Sequence, residues 1–287
     1  MDFKKFAKLI MIEQTLFALP FAYLGVLFAG GGRLVEWIWV TLALIAARTA
    51  GMSFNRVLDA EIDARNPRTQ TRALPAGELT RREVWLLAAV SCIVLIGASF
   101  MLNTLCFYLS FAAVGLLFTY SFFKRFTSAS HVYLGFVEAA APIGGYLAVT
   151  GSFHATGKLD IIPFVLGVAI MLWISGLDIV YAVQDMEFDQ GEGLFSLPAR
   201  YGREKALVIS LVFYLLSLGA VVWAGYLTNR GLPYWVAVIC VALIFYQQQR
   251  LARREETESA VKEFFQINAF VSVVLFAGTF IDVFLKQ

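Results

Sequence analysis

Two clusters of acidic and amide side chains stand at the ends of long apolar segments. The first places Asn55, Asp59 and Asp63 four residues apart, and the second places Asp185 and Asp189 at the same spacing. Residues four apart share one face of a helix, so each cluster would present its oxygen atoms together. Carboxylates at the edge of a membrane are costly unless they are paired or metal-bound, so the spacing indicates functional residues.

These oxygen ligands suit a hard divalent cation. Mg²⁺ is usually held by one or two carboxylates, by waters and by substrate phosphates. The two clusters supply more oxygen-bearing side chains than one such ion needs. This favours two or more ions that bind a diphosphate between them. We therefore expect Mg²⁺ as the cofactor, with all members of both clusters as its ligands.

Basic side chains flank the clusters and suit the phosphate oxygens of the same ligand. Arg68 and Arg72 follow the first cluster, and Lys124 and Arg125 end a predicted helix. Acids for metal and bases for phosphate form the division of labour that diphosphate chemistry needs. The competing interpretation of each base is the general excess of Lys and Arg on the cytoplasmic side of a membrane.

The composition assigns these clusters to an integral membrane protein. The 287 residues are 59% hydrophobic and 15% charged, with a mean hydropathy of +0.71. A soluble domain has roughly 25% charged residues. The first apolar stretch is long enough to span a bilayer, so no cleavable signal peptide is expected. The three cysteines all fall in predicted membrane helices, which argues against a disulfide framework.

The apolar segments predict an all-α protein with nine spanning helices, because a span needs about 20 apolar residues. The predicted spans are 9–30, 36–58, 84–102, 105–123, 132–150, 161–183, 206–227, 232–249 and 264–285. Most of the 23 lysines and arginines lie on the side that holds the N-terminus and both clusters. The positive-inside rule predicts that this side is cytoplasmic.

A weak internal repeat relates the two clusters. Asp59 precedes Asp185 by the same number of residues as Asp63 precedes Asp189. Four predicted helices separate the clusters. The interpretation is a single domain over 1–287 with pseudo-repeats of about 1–125 and 126–250, followed by the final helix 264–285. Chance similarity between apolar helices is the competing explanation.

The motifs resemble those of the UbiA superfamily of intramembrane aromatic prenyltransferases. The first cluster matches the pattern Asn-x-x-x-Asp-x-x-x-Asp, and the second matches Asp-x-x-Tyr-x-x-x-Asp-x-x-x-Asp from Asp178 and Tyr181 onward. Tyr120, Lys124 and Arg125 match a Tyr-x-x-x-Lys-Arg pattern. The resemblance covers nearly the whole chain, including the number of predicted helices.

This resemblance implies a fold and a reaction. The fold would be two four-helix units and a ninth helix around a central cavity with a cytoplasmic cap. Mg²⁺ bound by the motifs would hold a polyprenyl diphosphate, and an allylic cation would meet an electron-rich aromatic ring, with Asp178 and Tyr181 as catalytic residues. The expected partners are this diphosphate, an aromatic carboxylic acid and the lipid bilayer of a bacterial-type inner membrane, with no nucleic acid.

Short sequence segments in and around the motifs resemble the 4-hydroxybenzoate type of this family. It is most similar to the subgroup associated with the futalosine route to menaquinone, where the acceptor is a dihydroxynaphthoate acid. Ubiquinone synthesis from 4-hydroxybenzoate remains open, and homogentisate or haem as acceptor is an alternative. Both favoured acceptors carry a phenol and a carboxylate.

Two charged residues lie deeper in predicted helices and have divided interpretations. Arg48 could meet the carboxylate of an aromatic acid, the diphosphate, or an ion-pair partner in Glu13 or Glu138. Asp178 could orient a phenol, remove the ring proton, or serve as a hydrogen-bonded structural carboxyl. His131 and His154 have no metal-ligand spacing and receive no predicted role.

A secondary transporter is the competing class, because acids inside membranes also mark ion pathways. Transporters usually place such sites at the midplane on broken helices. Here the acids gather at one membrane face beside arginine-rich loops, which favours an enzyme.

Overall fold

The computed structural model describes residue 6 and residues 9–154, 157–254 and 258–285, and over these ranges the chain is helical without strands. The side chain of Glu13 lies outside what is described, so its predicted pairing with Arg48 does too. The helices are α1 (Ile12–Phe28), α2 (Leu34–Leu58), α3 (Ala60–Arg65), α4 (Arg81–Leu102), α5 (Thr104–Phe123), α6 (Ser130–Glu138), α7 (Ala140–Thr150), α8 (Ile162–Val183), α9 (Met186–Gly191), α10 (Leu197–Tyr201), α11 (Arg203–Leu227), α12 (Leu232–Ala252) and α13 (Glu258–Leu285).

The helices form a multi-pass membrane bundle. Within the described ranges, eight helical segments are long and apolar enough to cross a bilayer. The first helix is shorter, with an apolar stretch of Phe17–Phe28, so the count of nine stays a prediction. Exposed apolar side chains such as Ile93 and Leu243 suit the hydrocarbon around the bundle.

The predicted span 132–150 is interrupted, which the apolar pattern did not reveal. It consists of α6 and α7, joined at Ala139. The interruption follows Glu138, the last residue of α6. The side chain of Glu138 therefore lies at the joint between two helix segments that together make one span.

Helix α8 is the central span and carries Asp178 and Tyr181. The buried share of its span is 56%, whereas the other spans range from 17% to 44%. Small residues let α11 approach α8 closely. As a result, Ser210 Oγ donates to the carbonyl of Gly176 at 2.8 Å. Polar contacts of this kind hold membrane helices together where burial of apolar surface gives little preference for protein over lipid.

Both acidic clusters adopt the same local geometry. Helix α2 ends before Asp59 (φ −97°, ψ 6°), and α3 starts directly after it. Asp185 joins the end of α8 to α9 with φ −100° and ψ 5°. The backbone bonds of Asp63 to Asp59 and of Asp189 to Asp185 are both 2.7 Å long. This parallel supports the proposed repeat, which stays a prediction.

Helices α1 and α7 cross with their backbones nearly in contact. A Cβ added at Gly145 would lie 1.9 Å from the carbonyl oxygen of Ala22, and one added at Gly25 would lie 2.0 Å from that of Pro142. Only glycine permits this approach, as is common where membrane helices pack closely. The crossing fixes the position of α7 and, through the joint at Ala139, of α6.

We expect Gly145→Ala to destabilise the protein by at least about 2 kcal/mol, because the new methyl group must push α7 away from α1. Gly144→Ala is the matched control, since nothing lies within 4 Å of a Cβ at the neighbouring position. Its stability should change by less than about 1 kcal/mol. Thermal unfolding of the two detergent-purified variants makes the comparison, and equal midpoints would contradict the close crossing.

Candidate active site

The two acidic clusters meet through the loop that follows α3. The side-chain amide of Asn66 donates to Asp185 Oδ1 at 3.0 Å, and Arg68 Nε donates to the same oxygen at 2.9 Å. Asn66 also accepts the backbone N–H of Arg68 at 2.9 Å, which fixes the turn. The loop after the first cluster therefore binds directly to the second cluster.

Each carboxylate of the clusters has a basic partner. These partners are the bases predicted to bind phosphate: Arg125 at 3.0 Å from Asp59, Arg72 at 2.7 Å from Asp63, Lys124 at 2.8 Å from Asp189, and Arg68 on Asp185. Asn55 donates to Asp59 Oδ2 at 2.7 Å. The structure thus brings the predicted acids and bases together as ion pairs, and among the described residues no three acidic, His or Cys side chains converge on one point.

Asp189 is the most buried member of these pairs. Its side chain has no exposed surface, and neither oxygen accepts an aligned hydrogen bond from the described residues. The 2.8 Å contact with Lys124 Nζ is therefore an ion pair without hydrogen-bond alignment. Carboxylate oxygens left in this state are costly and suit a hard cation, so Asp189 and its neighbours fit a divalent metal.

The carboxylates at the two helix breaks differ in their affinity for protons. Burial raises the pKa of Asp59, although the hydrogen bond from Arg125 opposes this. Burial acts in the same direction on Asp185, but the hydrogen bonds and charge of Arg68 outweigh it and hold its pKa below the ordinary value. The cation bound to Asp185 therefore keeps this carboxylate ionised.

Arg56 is a charged residue of the site that sequence reasoning missed. Its side chain is 6% exposed, and its Nη1 lies 4.0 Å from Asp63 Oδ2. Asp63 also accepts two bonds from Arg72, at 2.7 and 2.8 Å. Arg56 directly follows Asn55, so its place beside the first motif was the available signal.

The structure pairs Arg48 with Glu138. The Nη1 atom of Arg48 binds Glu138 Oε1, whereas its Nε is buried without a hydrogen-bond partner. The central cavity implied by the resemblance remains a prediction.

Asp178 accepts a hydrogen bond from a histidine that received no role from the sequence. His131 Nδ1 lies 2.7 Å from Asp178 Oδ2, and the backbone N–H of Leu197 donates to His131 Nε2 at 3.1 Å. No local pattern could have indicated this contact, because the partners come from α6, α8 and α10. His154 is exposed in the loop after α7.

Tyr181 lies beside the second cluster. The guanidinium of Arg68 stands over its ring at 5.9 Å from the centroid, within range of a cation–π contact. Arg68 thereby connects Tyr181 with Asp185. The catalytic role of Tyr181 stays a prediction.

Helical spans with paired acids and bases at their ends describe a membrane protein with a candidate site for a charged ligand. The model of the UbiA prenyltransferase family matches residues 18–273. The chain therefore belongs to this family and is a prenyltransferase, which confirms the family and the class of enzyme predicted from the motifs.

Curated relatives and solved structures agree with this assignment. The chain is 30% identical over 276 residues to a 4-hydroxybenzoate octaprenyltransferase of Serratia proteamaculans, covering 96% of this chain and 90% of the relative. It is 33% identical over 261 residues to the Pseudomonas entomophila protein of the same name, covering 90% and 84%.

The apo structure of a UbiA homolog from Aeropyrum pernix K1 superposes with a TM-score of 0.87 at 31% identity, covering 94% of this chain and 98% of that one. A UbiA homolog from Archaeoglobus fulgidus bound to DMAPP and Mg²⁺ has a TM-score of 0.68 at 19% identity, covering 96% and 99%, and shares the fold. The predicted all-α membrane fold is confirmed.

We expect Lys124→Met to destabilise the metal-free protein by about 1–3 kcal/mol, because it leaves the carboxylate of Asp189 buried without a counter-charge. The matched control is Lys205→Met, which removes an exposed lysine at the start of α11. Unfolding of both variants in a chelator tests the expectation. Equal stability of the two would mean that Lys124 contributes nothing to holding Asp189.

Proposed function

We propose that this prenyltransferase transfers a polyprenyl group from polyprenyl diphosphate to an aromatic carboxylic acid, with Mg²⁺ as cofactor. The observation that carries the proposal is the pairing of the acidic clusters with Arg68, Arg72, Lys124 and Arg125. Relatives named 4-hydroxybenzoate octaprenyltransferase support this acceptor class. A homologue of the same fold bound to DMAPP and Mg²⁺ supports the diphosphate and the metal.

The ion pairs suggest how the chain accepts such a ligand. When metal and diphosphate bind together, the carboxylates would hold the metal, and the bases that now pair with them would bind phosphate oxygens. The net charge of the site stays nearly constant, which limits the cost of the exchange beside a membrane. Asn55, Asp59, Asp63, Asp185 and Asp189 would hold the metal, which when bound would neutralise the leaving diphosphate.

The proposed reaction breaks the allylic C–O bond and one C–H bond of the aromatic ring, and it forms one C–C bond. The diphosphate leaves the allylic carbon with the electron pair of the C–O bond, and Arg68, Arg72, Lys124 and Arg125 receive its developing charge. An electron pair of the aromatic ring then attacks the allylic carbon. Asp178 takes the ring proton, which restores aromaticity, while Tyr181 and Arg68 flank the reacting centre from the side of the second cluster.

Arg48 is the proposed anchor for the acceptor carboxylate. Its buried and unpartnered Nε can donate to a carboxylate while Nη1 remains on Glu138. The preferred acceptor is 4-hydroxybenzoate, in ubiquinone synthesis. A dihydroxynaphthoate acid, in menaquinone synthesis, is the second candidate because of the sequence around the motifs. Arg48 suits the carboxylate of either acid.

The proposed location is a bacterial-type inner membrane, with the clusters on the cytoplasmic side. The basic segments between spans, which contain Arg68, Arg72 and Arg200, support this orientation through the positive-inside rule. In this orientation both the metal and the water-soluble acceptor reach the clusters from the cytoplasm.

We expect Asp59→Asn to reduce prenyl transfer by at least about 100-fold, because the metal that stabilises the leaving diphosphate loses a ligand. Glu187→Gln is the control, since Glu187 is an exposed acid on α9 next to the second cluster. The assay uses labelled polyprenyl diphosphate, Mg²⁺ and a panel of aromatic acids that includes homogentisate. Full activity in the presence of EDTA, or wild-type activity of Asp59→Asn, would reject the metal-dependent reaction.

We expect Arg48→Leu to raise KM for the aromatic acid by about 10- to 100-fold, because a charge-assisted hydrogen bond to its carboxylate is lost. KM for the diphosphate should not change. Phenol, which lacks the carboxylate, should be used equally by the variant and the wild type. A purely structural pair with Glu138 predicts instead the same loss with both acceptors.

A further inference from the structure

We propose that His131 is a positioning residue that ties the cap segment, defined as residues 193–201, to the carboxylate of Asp178. Seating of the cap segment would then orient Asp178 for removal of the ring proton. This inference rests on the proposed function, in which Asp178 is the base. It assigns to the histidine a role in transfer that the motifs of the sequence do not contain.

Both ring nitrogens of His131 are engaged. The side chain is 3% exposed, in the first turn of α6. The backbone N–H of Leu197 can only donate, so Nε2 must be its unprotonated acceptor. The ring proton therefore lies on Nδ1, which donates to Asp178 Oδ2 at 2.7 Å. The contact with the cap segment thus selects the tautomer that binds Asp178.

This arrangement prepares Asp178 for one task. The hydrogen bond from His131 Nδ1 fixes the rotamer of the Asp178 carboxylate through Oδ2. Oδ1 is left to accept the proton of the aromatic ring. The Asp178 side chain is 30% exposed, so a substrate can approach it. His131 keeps its own proton throughout, and Asp178 later releases the ring proton to water.

The cap segment also touches the diphosphate side of the site. The backbone N–H of Phe195 donates to the carbonyl of Lys124 at 2.8 Å, and that of Leu194 donates to the carbonyl of Asp189 at 2.8 Å. Ser196, between these contacts and Leu197, is fully buried. The same short segment therefore contacts residues proposed to bind the diphosphate and the histidine that holds Asp178.

If the cap segment leaves its seat, His131 loses the donor that selects its tautomer. The proton can then reside on Nε2, where it cannot bind Asp178, and the carboxylate loses its fixed rotamer. Orientation of the base would thus depend on the seating of the cap segment against Lys124 and Asp189. Removal of the ring proton would be favoured only while the cap segment keeps its contact with His131.

The test measures steady-state transfer from polyprenyl diphosphate to 4-hydroxybenzoate with Mg²⁺, using the full-length protein. His131→Phe keeps a ring but removes both nitrogens, and kcat should fall about 10- to 100-fold while KM for the diphosphate is unchanged. His131→Gln can accept from Leu197 and donate to Asp178 through its amide, so its kcat should stay within a few-fold of wild type. Failure of His131→Gln to rescue transfer would overturn the proposal.

A double-mutant cycle separates positioning from general stability. If His131 acts through Asp178, adding His131→Phe to Asp178→Asn should slow transfer no further than Asp178→Asn alone. Full multiplication of the two losses would overturn the role of His131. Wild-type turnover of Asp178→Asn would instead reject the proposed base, which is a different failure.

Leu197→Pro provides a second route that leaves His131 in place. Proline removes the N–H that contacts Nε2, and it is well tolerated at the first position of a helix after the extended Ser196. Leu197→Ala is the matched control, because it also loses the leucine side chain but keeps the N–H. We expect kcat to fall about 5- to 10-fold in Leu197→Pro relative to Leu197→Ala. Equal kcat values would contradict the coupling, even if His131→Phe fails to fold.

Discussion

The cost of burying carboxylates at the ends of membrane helices shapes the end of this protein that holds both acidic clusters. Asp63, Asp185 and Asp189 are all less than 9% exposed, and each is compensated by a cation from another part of the chain. An uncompensated charge in this position would cost several kcal/mol. The loop after α3 and the end of α5 are therefore held where their bases meet the acids, and the joining of the clusters follows from that requirement.

The same ion pairs explain how the site joins distant elements. Arg68 links the loop after α3 to the end of α8, and Arg125 links the end of α5 to the end of α2. Beneath this layer, Arg48 links α2 to the joint between α6 and α7. Charges at successive depths thus connect the helices, while glycine contacts such as that of Gly145 set how closely they approach.

The sequence indicated the candidate residues of the site but not how they pair. Spacing alone singled out Asn55, Asp59 and the other cluster members, because a period of four is a local property of the chain and the i→i−4 backbone bonds persist across the helix breaks at Asp59 and Asp185. The pairing of Asp189 with Lys124 depends on how separate helices pack, and no local pattern encodes it. The hydrogen bond of His131 to Asp178 could not be predicted for the same reason. The joint at Ala139 could not be predicted because the segments on both sides of it together read as one apolar span.

Pairing each acid with a base has a thermodynamic consequence for loading of the site. If Asp189 binds the metal and Lys124 the diphosphate, as proposed, a metal that arrived alone would displace Lys124 from Asp189 and leave that cation without a partner. A diphosphate that arrived alone would leave the carboxylate without one. Each ligand would remove the penalty that the other meets, so their binding free energies would be coupled, and the coupling would be reciprocal. The enzyme would then be a cooperative two-ligand receptor, in which neither half-loaded form accumulates.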